Sequence, residues 1–261
     1  MKKHLLTASI AFAALSTLLL TGCEKEDKDA ISMSDVKKDT KIILGKDSIT
    51  EYEVVDLGLP SGVLWATCNI GASSPEQTGQ FFAWGETESK EQFSDANYKW
   101  CNGNLYRMTK YTFGEEGNDV IDNQQDLDIS DDAANFIMGT DWHIPEVKQF
   151  RELFNTRYCK SKWCKLNGVG GFLFTSVRKN YEGRAIFLPL SGMKDMSTIR
   201  FSGQYGFYWS NSLYKDNLSD KISSIESSVL WLEHKEFDNH VIDAQTRYLG
   251  LPIRPVYIPK Q

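Results

Sequence analysis

The sequence predicts an α+β domain in which two short helices sit among short strands. Three observations predict it. Apolar runs of strand length recur between turn signals such as Leu59-Pro60-Ser61-Gly62, Cys101-Asn102-Gly103-Asn104 and Asn167-Gly168-Val169-Gly170-Gly171. Val147, Phe150, Leu153 and Phe154 recur at helical spacing within Pro145–Arg157. All seven Trp lie between Trp65 and Trp231, which places the core after about Glu51.

Residues 1–22 read as a secretory signal. Lys2 and Lys3 supply the positive start, and Leu5 to Leu20 is almost wholly apolar or small. That run is short for a membrane span. It ends in Leu20-Thr21-Gly22-Cys23, which resembles the bacterial lipobox, so Cys23 is the expected lipidation site. Several acyl chains anchor stably where one would not. Glu24-Lys25-Glu26-Asp27-Lys28-Asp29 follows, and this run resembles the export signal of Bacteroidetes-type surface lipoproteins. The expected location is the outer membrane, facing outward, with the membrane as a partner through the lipid.

Residues 23–50 are highly charged and lack aromatic residues, so they are expected to form a flexible tether. Ile42-Ile43-Leu44 is the one docking strand that stretch could offer. The domain itself is expected to run from 51 to 261. Its strand candidates are Tyr52–Leu57, Val63–Cys68, Gln80–Trp84, Gly171–Thr175, Ala185–Leu190, Phe207–Leu213, Val229–Leu232 and Ile253–Ile258. Its helices are Asp131–Met138, acidic at its start as the helix dipole favours, and Pro145–Arg157, with Pro near the first turn. Trp65, Trp84, Trp142 and Trp209 are assigned to the core. Arg254, between Ile253 and Pro255, is expected to be buried and paired, with Asp132 or Glu86 as the partner.

Twenty-nine Lys and Arg stand against 35 Asp and Glu, a formal charge of −6. Extended contact with nucleic-acid phosphates needs concentrated cations, so no nucleic acid is expected as a partner, and no nucleotide. Beyond Cys23 there are four cysteines: Cys68, Cys101, Cys159 and Cys164. In an exported chain an even count points to disulfides. Three connectivities are open, and Cys68–Cys101 with Cys159–Cys164 is favoured by nearness in sequence. No CxxC occurs and His143, His234 and His240 are scattered, which speaks against zinc.

The residues also carry a resemblance. Val55-Asp56-Leu57-Gly58-Leu59-Pro60-Ser61-Gly62-Val63-Leu64-Trp65-Ala66-Thr67-Cys68 opens it, and Phe82-Ala83-Trp84-Gly85-Glu86 follows. Then come Trp142-His143-Ile144-Pro145, Phe187-Leu188-Pro189-Leu190-Ser191-Gly192, Tyr208-Trp209-Ser210 and Ile253-Arg254-Pro255-Val256. In this order they resemble the Fibrobacter succinogenes major paralogous domain family over about residues 52–258. His143 stands where the pattern has Arg, and Glu146 where it has a Thr or Ser cap. The resemblance implies a C-type-lectin-like α+β fold with two helices, short antiparallel strands and paired terminal strands. Tyr52–Leu57 would then pair with Ile253–Ile258.

Enzyme chemistry finds no motif. The formylglycine-generating relatives of that fold need C-terminal cysteines, and none follows Cys164. GxSxG is absent, and carboxylate pairs such as Glu226 with Glu233 have no supporting context. The chain is therefore expected not to be an enzyme and to need no cofactor. Calcium is the one metal to consider, with Asp126, Asp128, Asp131 and Asp132 as ligands in an Asp-rich stretch. The resemblance places ligands on the surface before the final strand, here Tyr205–Tyr248. Tyr205, Phe207, Tyr214, Trp231, Glu233, His234, Lys235 and Phe237 are the candidates there for binding a glycan or a surface protein. The expected function is recognition or adhesion. The other reading is a structural subunit of a surface assembly with no soluble ligand.

Overall fold

The computed structural model describes residues 27–114, 117–118, 120–233 and 239–260. Strands take up 37% of the structure and helices 11%. The domain is therefore mostly β, and the expected two-helix, C-type-lectin-like α+β fold is corrected. Among the described residues there are four sheets and three α-helices. The helices are too short to form a layer, at four, six and eight residues.

The first sheet runs in the order β2 (Thr40–Leu44), β3 (Glu51–Val55), β4 (Leu64–Ala66), β14 (Val256–Tyr257) and β5 (Trp142–His143). The expected pairing of Tyr52–Leu57 with Ile253–Ile258 does not occur. β14 pairs with β4 through Val256 and Trp65, so β4 lies between β3 and β14. The second sheet is β1 (Ala30–Ile31), β6 (Cys159–Leu166), β7 (Val169–Ser176) and β8 (Ala185–Pro189). β9 (Met193–Asp195) and β10 (Thr198–Arg200) form a small hairpin. β11 (Tyr205–Lys215), β12 (Ile222–Glu233) and β13 (Asn239–Thr246) form the last sheet.

That last sheet is the middle of the molecule. Alternation along β11 and β12 sends Phe207, Trp209 and Val229 to one face, and Tyr208, Leu230 and Leu232 to the other. The first set packs with Trp84, Trp142 and α2 (Ala133–Met138). The second packs with Trp65 and with Phe150 and Leu153 of α3 (Val147–Phe154). Trp65, Trp84, Trp142 and Trp209 are all buried. Truncating a buried aromatic of this size to Ala costs about 3–5 kcal/mol. Asp132 caps α2 by accepting from the backbone N–H of Ala134 and Asn135. Pro145 stands one residue before the cap of α3, not at its first position. Gln149 reaches back to the N–H of Glu146 at 2.8 Å.

The expected tether is largely ordered. Residues 27–50 hold β1, α1 (Met33–Val36) and β2, and Val36 is buried against Cys164, Leu166 and Phe187. Local composition missed this because the apolar surface that receives Val36 comes from β6 and β8. Cys23 and the leader lie outside the described residues. Gly192 makes the turn from β8 to β9 at φ +70°, where a Cβ would stand 2.1 Å from the carbonyl oxygen of Arg200. No side chain fits there.

The disulfide pairs are also corrected, since Cys68, Cys101, Cys159 and Cys164 are all free. Cys159 opens extended strand β6 and Cys164 is its sixth residue. Five residues of strand separate them by about 16 Å, far beyond disulfide reach. They also face opposite sides: Cys159 packs with Trp65 and Phe150, Cys164 with Val36. Nearness in sequence is a poor guide when the intervening chain is extended.

Candidate functional site

The expected ligand residues fall into two groups at opposite ends of β11 and β12. At the first end, Tyr205 pairs with Glu233 and Phe207 with Trp231 across the strands. The rings of Phe201, Tyr205, Phe207 and Trp231 form a contiguous cluster with centroid separations of 5.4–5.9 Å. Phe207 is buried and belongs to the core, which corrects its assignment as a contact residue. Tyr205 and Trp231 are half-buried. Phe201, absent from the expected set, is exposed. His234, Lys235 and Phe237 lie outside the described residues.

At the other end is a cleft of about 370 Å³ that contains Tyr214. A break in strand pairing builds it. β11 bulges between Trp209 and Leu213 and again before Lys215. The freed backbone finds other partners. Leu213 N–H donates to the carbonyl of Gln125, Leu127 N–H to that of Asn211, and Asn211 N–H to that of Pro145. Those bonds draw residues 125–127 and the start of α3 against the bulge. The walls are then Gln125 and Asp126 from the first, Lys148 and Arg151 from the second, and Ser212, Tyr214 and Asn217 from β11 and its turn.

The charges in the cleft are mostly spent locally. Lys148 pairs with Glu146 at 2.7 Å and Lys215 with Asp220 at 2.7 Å. Asp126 accepts the hydroxyl of Ser212. Arg151 is exposed and has no hydrogen-bond or ion-pair partner among the described residues. Partial burial, then the carboxylates of Asp243, Asp216 and Glu226, hold the Tyr214 phenol above its ordinary pKa. It therefore remains a neutral hydrogen-bond donor at physiological pH. The cleft thus offers an aromatic ring, the carboxylates of Asp126 and Glu146, the guanidinium of Arg151 and amide groups, within the usual size of small-ligand pockets. Of this set, the sequence singled out Tyr214 and Asp126. Arg151 and Gln125 gave no signal, because only the bulge brings them near Tyr214.

The four calcium candidates are engaged elsewhere. Asp131 accepts from Tyr111 Oη at 2.6 Å, from Lys110 Nζ at 2.7 Å and from Lys99 Nζ at 3.3 Å. Asp128 accepts from Lys110 and from Gln124. Asp132 is spent on the α2 cap and on the N–H of Ile144, and Asp126 lies on the cleft beside Tyr214, where it accepts from Ser212. Among the described residues no group of three or more His, Cys, Asp and Glu is placed to hold a metal. Of the four, Asp128 and Asp131 are counter-charges for lysines.

Two buried arginines organise the polar interior. Arg254 was expected beside Asp132 or Glu86 and meets neither. Its Nε donates to Asn69 Oδ1 at 2.9 Å, and Nη1 to the carbonyls of Phe187 and Ala66. Glu86 instead accepts from Lys90 and from the N–H of Lys99. Arg247 was not singled out, yet it is fully buried and holds the backbone of Lys110, Tyr111 and Ser224. Backbone carbonyls serve where a carboxylate was expected, because they are already desolvated by the fold. Among the described residues no helix is long and apolar enough to cross a membrane. No family model, no curated protein and no solved structure matches the chain.

Proposed function

We propose that this chain is a lipid-anchored protein of the bacterial outer membrane that presents a non-catalytic recognition domain for a glycan or protein ligand. The leader ending in Leu20-Thr21-Gly22-Cys23 supports export and anchoring. The observation that carries the recognition reading is the cleft in which half-buried Tyr214 stands near the unpaired guanidinium of Arg151. An aromatic ring can stack on the apolar face of a sugar or on a side chain. Asp126 accepts from a ligand hydroxyl, and Arg151 and Asn217 donate to ligand oxygens. The exposed guanidinium of Arg151 holds no protein partner among the described residues and is open to a ligand oxygen.

The test is a glycan array and a capture from surface extracts, each run with wild type and with Tyr214→Ala. Binding by wild type, reduced at least about tenfold in Tyr214→Ala with an unchanged melting temperature, is the expected result. Binding that Tyr214→Ala leaves intact overturns the cleft as its site.

A further inference from the structure

We propose that a row of cations along β6 lies on the anionic headgroups of the membrane that holds the chain's lipid anchor. This rests on the anchoring reading above and adds an orientation to it. The surface shares no residue with the cleft around Tyr214.

Charge is unevenly spread over the molecule. The chain carries a formal charge of −6, yet between residues 157 and 184 seven Lys and Arg stand against one acid, Glu182. Strand alternation puts Lys160 and Lys162 on the face of β6 that also carries Cys164 and Leu166. Thr175 and Leu173 stand opposite them, then Ala185 and Phe187. No strand residue on that face is acidic. β1 pairs only with Lys165 and Leu166, so the earlier part of β6 has no strand outside it. The carbonyl of Tyr158 accepts from Val177 N–H at 2.8 Å, which brings Arg178 and Lys179 beside Arg157 at one end of the row. Arg157, Lys160, Lys162, Arg178 and Lys179 are exposed and hold no ion pair among the described residues. Clustered cations of this kind attract an anionic surface.

The leash selects a membrane over a soluble polyanion. Asp27 is held at the other end of the row. Its carboxylate pairs with Lys165 at 2.8 Å, and the carbonyl of Asp29 accepts Lys165 N–H at 2.7 Å. Cys23 precedes Asp27 by four residues, which span at most about 14 Å when fully extended. An acylated Cys23 sits among headgroups, so the Lys165 end of β6 is kept close to them. Lys162 and Lys160 follow about 10 and 17 Å along the strand. Contact with the membrane is then an intramolecular event, which raises its effective concentration. The acids of the docked segment do not cancel the row. Asp27 and Asp39 are paired with Lys165 and Arg184, and Asp35 accepts from Ser32. Glu24, Glu26 and Asp29 remain against Lys25 and Lys28, one negative charge in excess.

Lysine footprinting of the full chain tests this. The chain is extracted from its membrane and mass spectrometry reads the acylation of Cys23. It is then placed in phosphatidylcholine vesicles with or without phosphatidylglycerol. Each cation near an anionic surface shifts the contact about fivefold, so acetylation of Lys160, Lys162 and Lys179 should slow at least about fivefold on the anionic vesicles. Exposed Lys221, in the turn between β11 and β12, should react alike on both. High salt should remove the difference. Lys160→Gln/Lys162→Gln removes two cations without partners, so it should leave the melting temperature unchanged and abolish the slowing at Lys179. An acylated chain whose Lys160, Lys162 and Lys179 react at one rate on both vesicles overturns the proposal and leaves the anchor standing. Protection by soluble heparin with none by anionic vesicles also overturns it, in favour of a polyanionic glycan. An unacylated Cys23 overturns both readings.

Discussion

The Nε of Arg247 donates to the hydroxyl of Tyr98 at 3.0 Å, with both side chains closed off from solvent. Tyr98 in turn donates its hydroxyl to the carbonyl of Trp84 at 2.6 Å, and the guanidinium lies over the Trp84 ring at 4.9 Å. One side chain from the end of β13 thus joins the Trp84 segment, the Lys110–Tyr111 loop and β12. The loops around Tyr98 and Lys110–Tyr111 are tied to the sheet through it.

Arg247→Ala should therefore cost about 4 kcal/mol or more, since it opens a cavity and strands several buried acceptors. Arg247→Lys keeps the charge but loses the planar fork, and should cost about 2–3 kcal/mol. Urea unfolding measures both. Losses under about 1 kcal/mol would mean that the loops hold themselves.

Arg254→Ala should destabilise comparably, because Asn69 Oδ1 and the carbonyl of Phe187 lose their donor in the interior. A melting temperature near that of wild type would show that the guanidinium is dispensable.

Acid stability should depend on Asp131. Burial opposes its charge, but hydrogen bonds from Lys110 and Tyr111 outweigh burial and hold the carboxyl below the ordinary aspartate range. A depressed folded pKa stabilises fully above the unfolded value of about 3.9 and is lost as pH falls through the folded value. Asp131→Asn should thus be less stable than wild type by about 2 kcal/mol at pH 7. The gap should close below about pH 4. A gap constant from pH 7 to pH 2 would contradict this role.

The thiols should react unequally. Burial pushes the Cys159 thiol up to about 12 and the Cys164 thiol up to about 11, and it raises Cys101 as well. Cys68 is half-exposed on a cleft beside Thr67 and Asn69. A thiol reagent at pH 8 should label Cys68 before the other three, and denaturation without reductant should release all four. Peptide mapping that finds Cys159 labelled as fast as Cys68 would refute that order.

In the cleft, Arg151→Ala should weaken ligand binding without changing stability, since Arg151 holds no partner of its own. Isothermal titration against a ligand found on the array measures the first and thermal unfolding the second. A fall in melting temperature with binding intact would make Arg151 a structural residue.

Read by itself, the sequence determined what depends on local pattern. The stripe Val147, Phe150, Leu153, Phe154 marked α3, and the apolar runs marked β3, β4, β7, β8 and β11. The concentration of Trp marked the core. It did not reveal β6, whose Cys-Lys-Ser-Lys-Trp-Cys-Lys-Leu reads as too polar for a strand, nor the docking of residues 27–39, although Ile42-Ile43-Leu44 did mark part of β2. Tertiary structure decided those, and it decided the balance of strand over helix, the partners of Arg254 and the union of Tyr214 with Arg151. Each of these rests on contacts between residues far apart in the chain, such as Arg254 with Asn69 or Val36 with Phe187. A desolvated carbonyl or an apolar patch exists only once distant strands have met, so no local pattern can announce it.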